Sequence, residues 1–518
     1  MSRLKNFTRS LLSGYAALAA NIVYTLASVP LALHYLNKEP FGKEEFGLWA
    51  LVSQLGSYIT LIEIGMSGSV SRILIDHKDE RHNGVYGSVI KISALVGSLQ
   101  GLLIISLGIL ISMLAGPLLK VPVELRQEFF WLMAGQSVLL GVSFTTKVFS
   151  QILFAHQRLD IGNYSSIFFF FLSVAVMWAG FAGGFGVYSF LPGQAVIVLG
   201  SGIISISGCM RLGFLPQPGE WGKVTGARFR ELFAYGRGVF LISVGGQIIN
   251  TSQTILLTRL LGLEAAATWN ICTRTYNMMT MLVWRILDYS APGLSEMCAR
   301  KEYGKLQNRI RDILVLMAGL SLVGGTIFAV ANGPFVAVWS LGKFSWPPIN
   351  NILLGLWFIG CSIMRVYNGL IGVTKDLHFL RYIYLVEGSV FIGLNLLAYR
   401  MESMTLMLLL SLVSTLTFTL PYGMWRTRKY FKIGWPELLG WLYPAWRLAW
   451  RLIPVALATW WLTQKLPARW QLALNIGLTG IWGLALLLRY GLPQPLLLEL
   501  AVKLPESIQP IFKRCIRA

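Results

Sequence analysis

The chain has 518 residues, 55% of them hydrophobic and only 13% charged, with a formal net charge of +21. A soluble protein of this length divides into several domains of ordinary charge content, so the balance excludes a conventional soluble protein. The basic excess sits in short segments between apolar runs rather than along one face, which excludes a nucleic-acid partner.

An apolar run of about 20 residues crosses a bilayer as a helix, because hydrocarbon offers no partner to unpaired backbone groups. Fourteen such runs are predicted in chain order: 11–36, 46–71, 87–114, 127–154, 162–186, 190–210, 238–261, 265–292, 311–340, 347–373, 380–399, 403–425, 448–464 and 470–490. The chain is therefore expected to be an all-α, polytopic membrane protein. Arg3, Lys5 and Arg9 before an apolar run, with Ala17-Leu18-Ala19 after it, imitate a signal peptide. The run continues to Leu36, so it is read as the first span.

The connection after span 6 is the longest, carries Pro216 and Pro218, and leads into Arg228, Arg230 and Arg237. Further basic clusters follow span 8 (Arg300 to Arg311) and span 12 (Arg426, Arg428, Lys429, Lys432). With both termini cytoplasmic, these clusters all fall on the cytoplasmic side, as the positive-inside rule requires of an even number of spans. The expected organisation is a first lobe at 1–212, a basic linker at 213–237, a second lobe at 238–432, an interfacial segment with spans 13 and 14 at 433–492, and a cytoplasmic tail at 493–518. Trp435, Trp441, Trp446 and Trp450 place the segment before span 13 at the membrane surface. Five scattered cysteines show no metal-ligand spacing and no disulfide framework, and no cofactor is expected.

The halves carry a trace of internal repetition. Gly42, Glu44, Trp49 and Thr60 recur as Gly262, Glu264, Trp269 and Thr280, at a constant offset of 220 residues and at the same place in each set of six spans. Two six-helix lobes in the same orientation pack about an axis along the membrane normal and leave a central cavity. The first span of each half also has a polar stripe: Asn21, Tyr24, Thr25 and Ser28 in one, and Gln247, Asn250, Thr251, Thr254 and Thr258 in the other. Each stripe lies on one helical face and serves either cavity lining or interhelical hydrogen bonding.

Charges inside spans are costly and mark substrate or ion paths. Span 8 carries Arg274 and Arg285, eleven residues apart, which on a helix is within about 20° of the same face and about 16 Å along it. Asp288 lies one turn further on nearly that face, so Arg285 pairs either with it or with an anionic ligand. Lys91 and Lys147 are basic positions of spans 3 and 4, and Lys147 either snorkels to the surface or joins the cavity. Arg365 lies within span 10, Glu63 in span 2 and Glu387 in span 11. Five basic groups against three acids favour an anionic substrate, and guanidinium suits phosphate because its planar fork donates two parallel hydrogen bonds. Glu63, Asp288 and Glu387 are candidates for ion coupling or for partners of the basic groups. No Ser-His-Asp, nucleotide-loop or His-rich metal pattern competes, so the chain is not expected to be an enzyme.

Glu45-Phe46-Gly47-Leu48-Trp49, then Leu61-Ile62-Glu63-Ile64-Gly65-Met66 and Ser71-Arg72, resemble the second helix of Wzx-like polysaccharide flippases of the multidrug/oligosaccharidyl-lipid/polysaccharide exporter superfamily. The family often has Asp where Glu63 stands here. Phe233 to Gly262, ending Arg259-Leu260-Leu261-Gly262, is similar to its seventh helix. The resemblance implies a bacterial inner-membrane transporter that moves undecaprenyl-pyrophosphate-linked oligosaccharide to the periplasmic leaflet by alternating access. On that reading Arg274, Arg285, Arg365, Lys147, Asn250, Gln247 and Asn21 meet the diphosphate and glycan, while membrane lipids, glycan polymerases and glycosyltransferases are the other partners. Two rivals are a cation-coupled multidrug exporter of the same fold and an O-antigen polymerase or ligase; the basic bias disfavours the first, and the lack of a large outer loop the second.

Overall fold

The computed structural model describes residues 2–36, 42–63, 84–156, 158–226, 252–374, 379–397 and 403–503, with a few isolated positions between them. Gln247, Asn250 and half of the seventh expected span lie outside the described residues. Every regular element described is a helix. The chain gathers into two compact units, 1–267 and 268–518. The sequence-based division instead begins its second half at residue 238.

The first unit contains α1 (Ser2–Leu36), α2 (Gly42–Ile59), α3 (Val85–Leu118), α4 (Arg126–Ala155), α5 (Leu159–Ala182) and α6 (Phe190–Arg211). Its tightest pair is α3 with α4, and glycine is the reason. A Cβ at Gly101 would stand 2.6 Å from the Gly141 carbonyl oxygen, and one at Gly141 would stand 2.7 Å from that of Gly101. Gly97, four residues before Gly101, likewise lies against Phe144 backbone. Small residues four apart let backbones touch in a membrane, where burial of apolar surface gives helices no reason to associate. Helix α5 packs on α1 and α6, and α2 leans on α4. Trp49 of α2 stacks on Phe190 at the start of α6, centroids 4.7 Å apart.

The second unit begins within α7 (Leu263–Cys272) and continues with α8 (Arg274–Ala299), α9 (Tyr303–Trp339), α10 (Pro348–Thr374), α11 (Leu380–Leu397), α12 (Met404–Thr417), α13 (Thr419–Phe431), the short α14 (Trp435–Gly440), α15 (Tyr443–Thr463), α16 (Ala468–Leu486) and α17 (Gln494–Lys503). Its tightest pair, α9 with α10, repeats the glycine device. A Cβ at Gly325 would lie 3.0 Å from the Gly355 carbonyl oxygen, and the reverse distance is 2.7 Å. These are the third and fourth helices of the second half, the counterparts of α3 and α4. Glu44 and Glu264 also occupy the first turns of α2 and α7 respectively, where a carboxylate favours the positive end of the helix dipole.

Nine described helices are long and apolar enough to cross a membrane, and they coincide with expected spans 1, 3, 4, 5, 6, 9, 10, 12 and 14. The other five expected spans are shorter, less apolar or partly outside the described residues. Several boundaries differ from expectation. The helix of span 2 tightens into a 3-10 turn, Thr60–Glu63, after which residues 64–69 lie outside the described residues. Span 8 is divided at Thr273 into α7 and α8. Span 12 is broken at Phe418, because Pro421 has no N–H for the Thr417 carbonyl. Span 13 begins earlier than expected, at Tyr443, so Arg447 and Arg451 lie inside α15.

Candidate functional site

In the first unit, the 3-10 turn at Thr60–Glu63 is tied to α3 by Gln100, whose Nε2 donates to the carbonyl oxygens of Ile62 (2.9 Å) and Glu63 (3.2 Å). This anchoring turns the Glu63 carboxylate toward α4, where Lys147 Nζ donates to Oε2 at 2.6 Å. The ammonium also lies 5.0 Å from the Phe144 ring centre. Around the pair is a cavity of about 30 Å³ lined by Ser93, Gln100, Phe144 and Gln151 among others, room for about one water. Lys147 and Glu63 thus pair with each other, across α4 and the end of the described part of span 2. Lys91 differs: it is exposed, donates to the Gly222 carbonyl at 3.1 Å and lies over the Trp221 ring.

The stripe on α1 is partly polar surface. Asn21 is half-buried with no hydrogen-bond partner among the described residues, Tyr24 stacks on Phe170, and Ser28 donates to the Thr25 carbonyl. In the corresponding stripe, Thr254 and Thr258 are 3% and 1% exposed, and Thr258 donates to the Thr254 carbonyl at 2.8 Å. For those two threonines, helix packing accounts for the pattern and cavity lining does not.

In the second unit, Arg274 opens α8, and the helix continues through Arg285 and Asp288. Both arginines are half-buried, and the unbroken helix preserves their shared face. Asp288 accepts a hydrogen bond from Arg365 Nη2 of α10 at 2.9 Å, so the bridge to Arg285 expected as one alternative is replaced by a bridge between helices. The Arg365 guanidinium also lies 5.0 Å from the Trp284 ring centre, one turn before Asp288. Its Nε and the Trp284 indole N–H have no partner among the described residues. The two charged side chains are 42% and 48% exposed. An ion pair this open is worth about 0.2–1 kcal/mol and exchanges easily for another anion.

The break at Thr273 is held by a polar knot that hydropathy does not reveal. Asn332 of α9 donates to the Cys272 carbonyl (3.0 Å) and to Asn351 Oδ1 (2.7 Å), and its own Oδ1 accepts from Thr275 (2.6 Å). Trp346 Nε1 completes it by donating to Asn351. Asn332 and Asn351, standing in the apolar runs of spans 9 and 10, are its signals in the sequence. Glu387 stands apart from the arginines: it is 1% exposed and bridges to no cation among the described residues. Thr415 Oγ1 donates to it at 3.5 Å and accepts in turn from Trp357 Nε1 at 3.1 Å. Thr419 and Ser414, on either side of the Phe418 break, lie beside the carboxyl group.

No group of His, Cys, Asp and Glu suited to a metal ion occurs among the described residues. A family model described as polysaccharide biosynthesis protein matches residues 18–297, more than half of the chain. No curated protein sequence matches it. Among solved structures, the lipid II flippase MurJ in an inward closed conformation superposes with a TM-score of 0.62 at 14% identity, covering 91% of this chain and 97% of that one. An inward-facing multidrug resistance MATE transporter of the MOP superfamily gives 0.59 at 11% identity, covering 79% and 95%. The Vibrio cholerae MATE transporter VcmN, in its bent form, gives 0.55 at 13% identity, covering 83% and 97%. The glycine-crossed helical units, the open ion pair and these likenesses converge: the chain belongs to the polysaccharide biosynthesis protein family and is a multi-pass membrane protein with the fold of the MOP-superfamily transporters.

Proposed function

We propose that this protein carries a polyprenyl-diphosphate-linked oligosaccharide from the cytoplasmic to the periplasmic leaflet of a bacterial inner membrane, by alternating access and with both termini cytoplasmic. The carrying observation is the basic face of α8 with its neighbour: Arg274 and Arg285 on one helix, and Arg365 held by an open bridge to Asp288. A diphosphate entering beside Arg365 replaces one carboxylate with a doubly charged oxyanion that both edges of the guanidinium can bind. The sugar head needs polar partners, for which the sequence offers Asn21, Gln247 and Asn250 as candidates, while the polyprenyl tail stays in lipid. The similarity to a lipid II flippase supports a lipid-linked glycan as cargo. Transport needs no bond made or broken, and glycosyltransferases and a glycan polymerase are the enzymes expected to supply and consume the cargo.

Coupling is assigned to the carboxylates. Glu387 is sealed from solvent with hydroxyls as neighbours and no cation bridge among the described residues, so it holds a proton or a small cation more readily than Asp288, which already has Arg365. Glu63 and Lys147 form the corresponding charged element of the first unit. The test is reconstitution in proteoliposomes loaded with a fluorescent polyprenyl-diphosphate glycan. Protein-dependent translocation is expected, and it should be lost in the Arg274→Ala/Arg285→Ala double variant at normal abundance. Lysine replacements should restore it only in part, since a point charge cannot reproduce the fork. Undiminished translocation by the double variant removes the diphosphate-binding role.

A further inference from the structure

The C-terminal hairpin carries a basic cluster that the transport reading does not use. Helix α15 sets Arg447 and Arg451 one turn apart, and α16 returns beside it. After Leu486 the helix loosens into a π-type turn, Leu487–Gly491, a rare element that is frequent at functional sites. The turn delivers Arg489 and Tyr490 to the level of the two α15 arginines. All three guanidinium carbons then surround one ring: Arg451 lies 4.2 Å, Arg489 5.6 Å and Arg447 5.7 Å from the Tyr490 centroid. Beneath them Leu448, Leu452, Leu487, Leu492, Leu496 and Leu497 form a buried cluster that fixes α15, the turn and α17 together.

The chemistry of the cluster is lopsided. None of the three arginines bridges to a carboxylate among the described residues, and their one donated hydrogen bond runs from Arg451 Nη1 to the Arg447 carbonyl at 2.9 Å. Stacking on the tyrosine occupies the flat face of a guanidinium and leaves its in-plane N–H donors available. Three cations sharing one ring repel each other until an anion with several acceptor oxygens joins them. Phosphate meets that requirement better than carboxylate, since it accepts from more than one fork at once.

The surroundings choose a lipid over a soluble anion. Trp446 and Trp450, each immediately before one of the α15 arginines, are 69% and 73% exposed, and exposed tryptophans mark the headgroup level of a bilayer. Further along the same helix Ile453, Leu457 and Trp461 are also exposed, an apolar strip suited to acyl chains. We propose that Arg447, Arg451 and Arg489 around Tyr490 form a headgroup site for an anionic phospholipid, held at the membrane surface by the C-terminal hairpin. This site is separate from the basic face of α8 and stands whether or not the cargo is a glycan.

The test compares the purified full-length protein with an Arg447→Gln/Arg451→Gln/Arg489→Gln variant by native mass spectrometry and thermal shift. The probes are phosphatidylglycerol, phosphatidylcholine with the same acyl chains, and inorganic phosphate. Wild type should retain phosphatidylglycerol and be stabilised by it, with little response to the other two. With about a fivefold loss for each arginine removed, the triple variant should bind roughly a hundredfold more weakly. Should the triple variant fail to fold, the Arg447→Gln/Arg489→Gln double variant, which changes only exposed side chains, replaces it with an expected loss of roughly twentyfold. Equal phosphatidylglycerol binding by wild type and variant overturns the assignment. So does equal binding of phosphatidylcholine, and so does equal stabilisation by inorganic phosphate, which would make this a site for a soluble anion.

Discussion

Replacing Glu63 with glutamine keeps the side chain's shape but leaves the Lys147 ammonium facing a neutral amide. The two groups are 2.6 Å apart, with side chains 27% and 36% exposed, so the pair is neither a surface bridge nor a sealed one. Exposed bridges contribute about 0.2–1 kcal/mol, whereas removing one partner of a buried bridge costs about 3–5 kcal/mol. At this intermediate exposure Glu63→Gln should cost about 1–3 kcal/mol, softened by the Phe144 ring that still faces the ammonium. Lys147→Met should cost a similar amount by removing the ammonium that the carboxylate accepts from. The double variant carries neither charge, so it should recover much of the loss, with a coupling of about 1–2 kcal/mol. Reversible denaturation in mixed micelles measures the four proteins, and vesicle translocation is assayed on the same preparations. Single losses that simply add in the double variant would refute an energetic pairing. If the pair also acts in the transport cycle, the double variant should be stable and yet slow. A double variant that transports at the wild-type rate would leave the pair a structural role alone.

The bridge between Asp288 and Arg365 is more exposed, so Asp288→Asn should change stability by no more than about 1 kcal/mol. Export should nevertheless fall, as should that of Arg365→Ala, when surface glycan is measured against protein abundance. At the glycine crossings, Gly141→Ala and Gly355→Ala push a methyl group to 2.7 Å from a carbonyl oxygen; each should cost about 1–3 kcal/mol, and leucine at either position should abolish the folded peak in size-exclusion chromatography. Alanine at Gly162, where nothing lies within 4 Å, is the silent control. For topology, reporters inserted at Lys301 and Lys343, on either side of α9, should give opposite signals, with Lys301 cytoplasmic. Matching signals from both would overturn the orientation.

Hydropathy carries far in this chain where a span is long and uniformly apolar. Span 3 is expected at 87–114 and α3 runs Val85–Leu118, and spans 4 and 10 agree as closely with α4 and α10. It carries less far where a tertiary contact decides the outcome. Gln100, 37 residues later, donates to the Glu63 carbonyl oxygen beside the 3-10 turn, and periodicity within span 2 holds no trace of that contact. Lys147 finds Glu63 from 84 positions away, a partner that spacing within span 4 does not announce. Spacing along α8 puts Asp288 within reach of Arg285, yet Arg365 from another helix takes it. The break at Phe418 is legible in principle from Pro421, whose effect is local. For Gln247 and Asn250 no comparison arises, since they lie outside the described residues.

Where α3 crosses α4, and again where α9 crosses α10, the two chains meet main chain to main chain. Contacts of this kind involve Cα–H groups resting on carbonyl oxygens. Their strength depends on nothing beyond the missing side chains at two positions, so the flanking residues can drift freely provided they remain apolar. A bundle clasped in this way tolerates extensive rewriting. That offers a physical ground for a superposition covering 91% of the chain when only 14% of the residues are identical. The same economy makes the crossings poor places for spin labels, cysteine cross-links or fluorophores, since any added atom falls where a neighbouring backbone already is. Probes of motion within each unit belong instead on helix faces clear of Gly101, Gly141, Gly325 and Gly355.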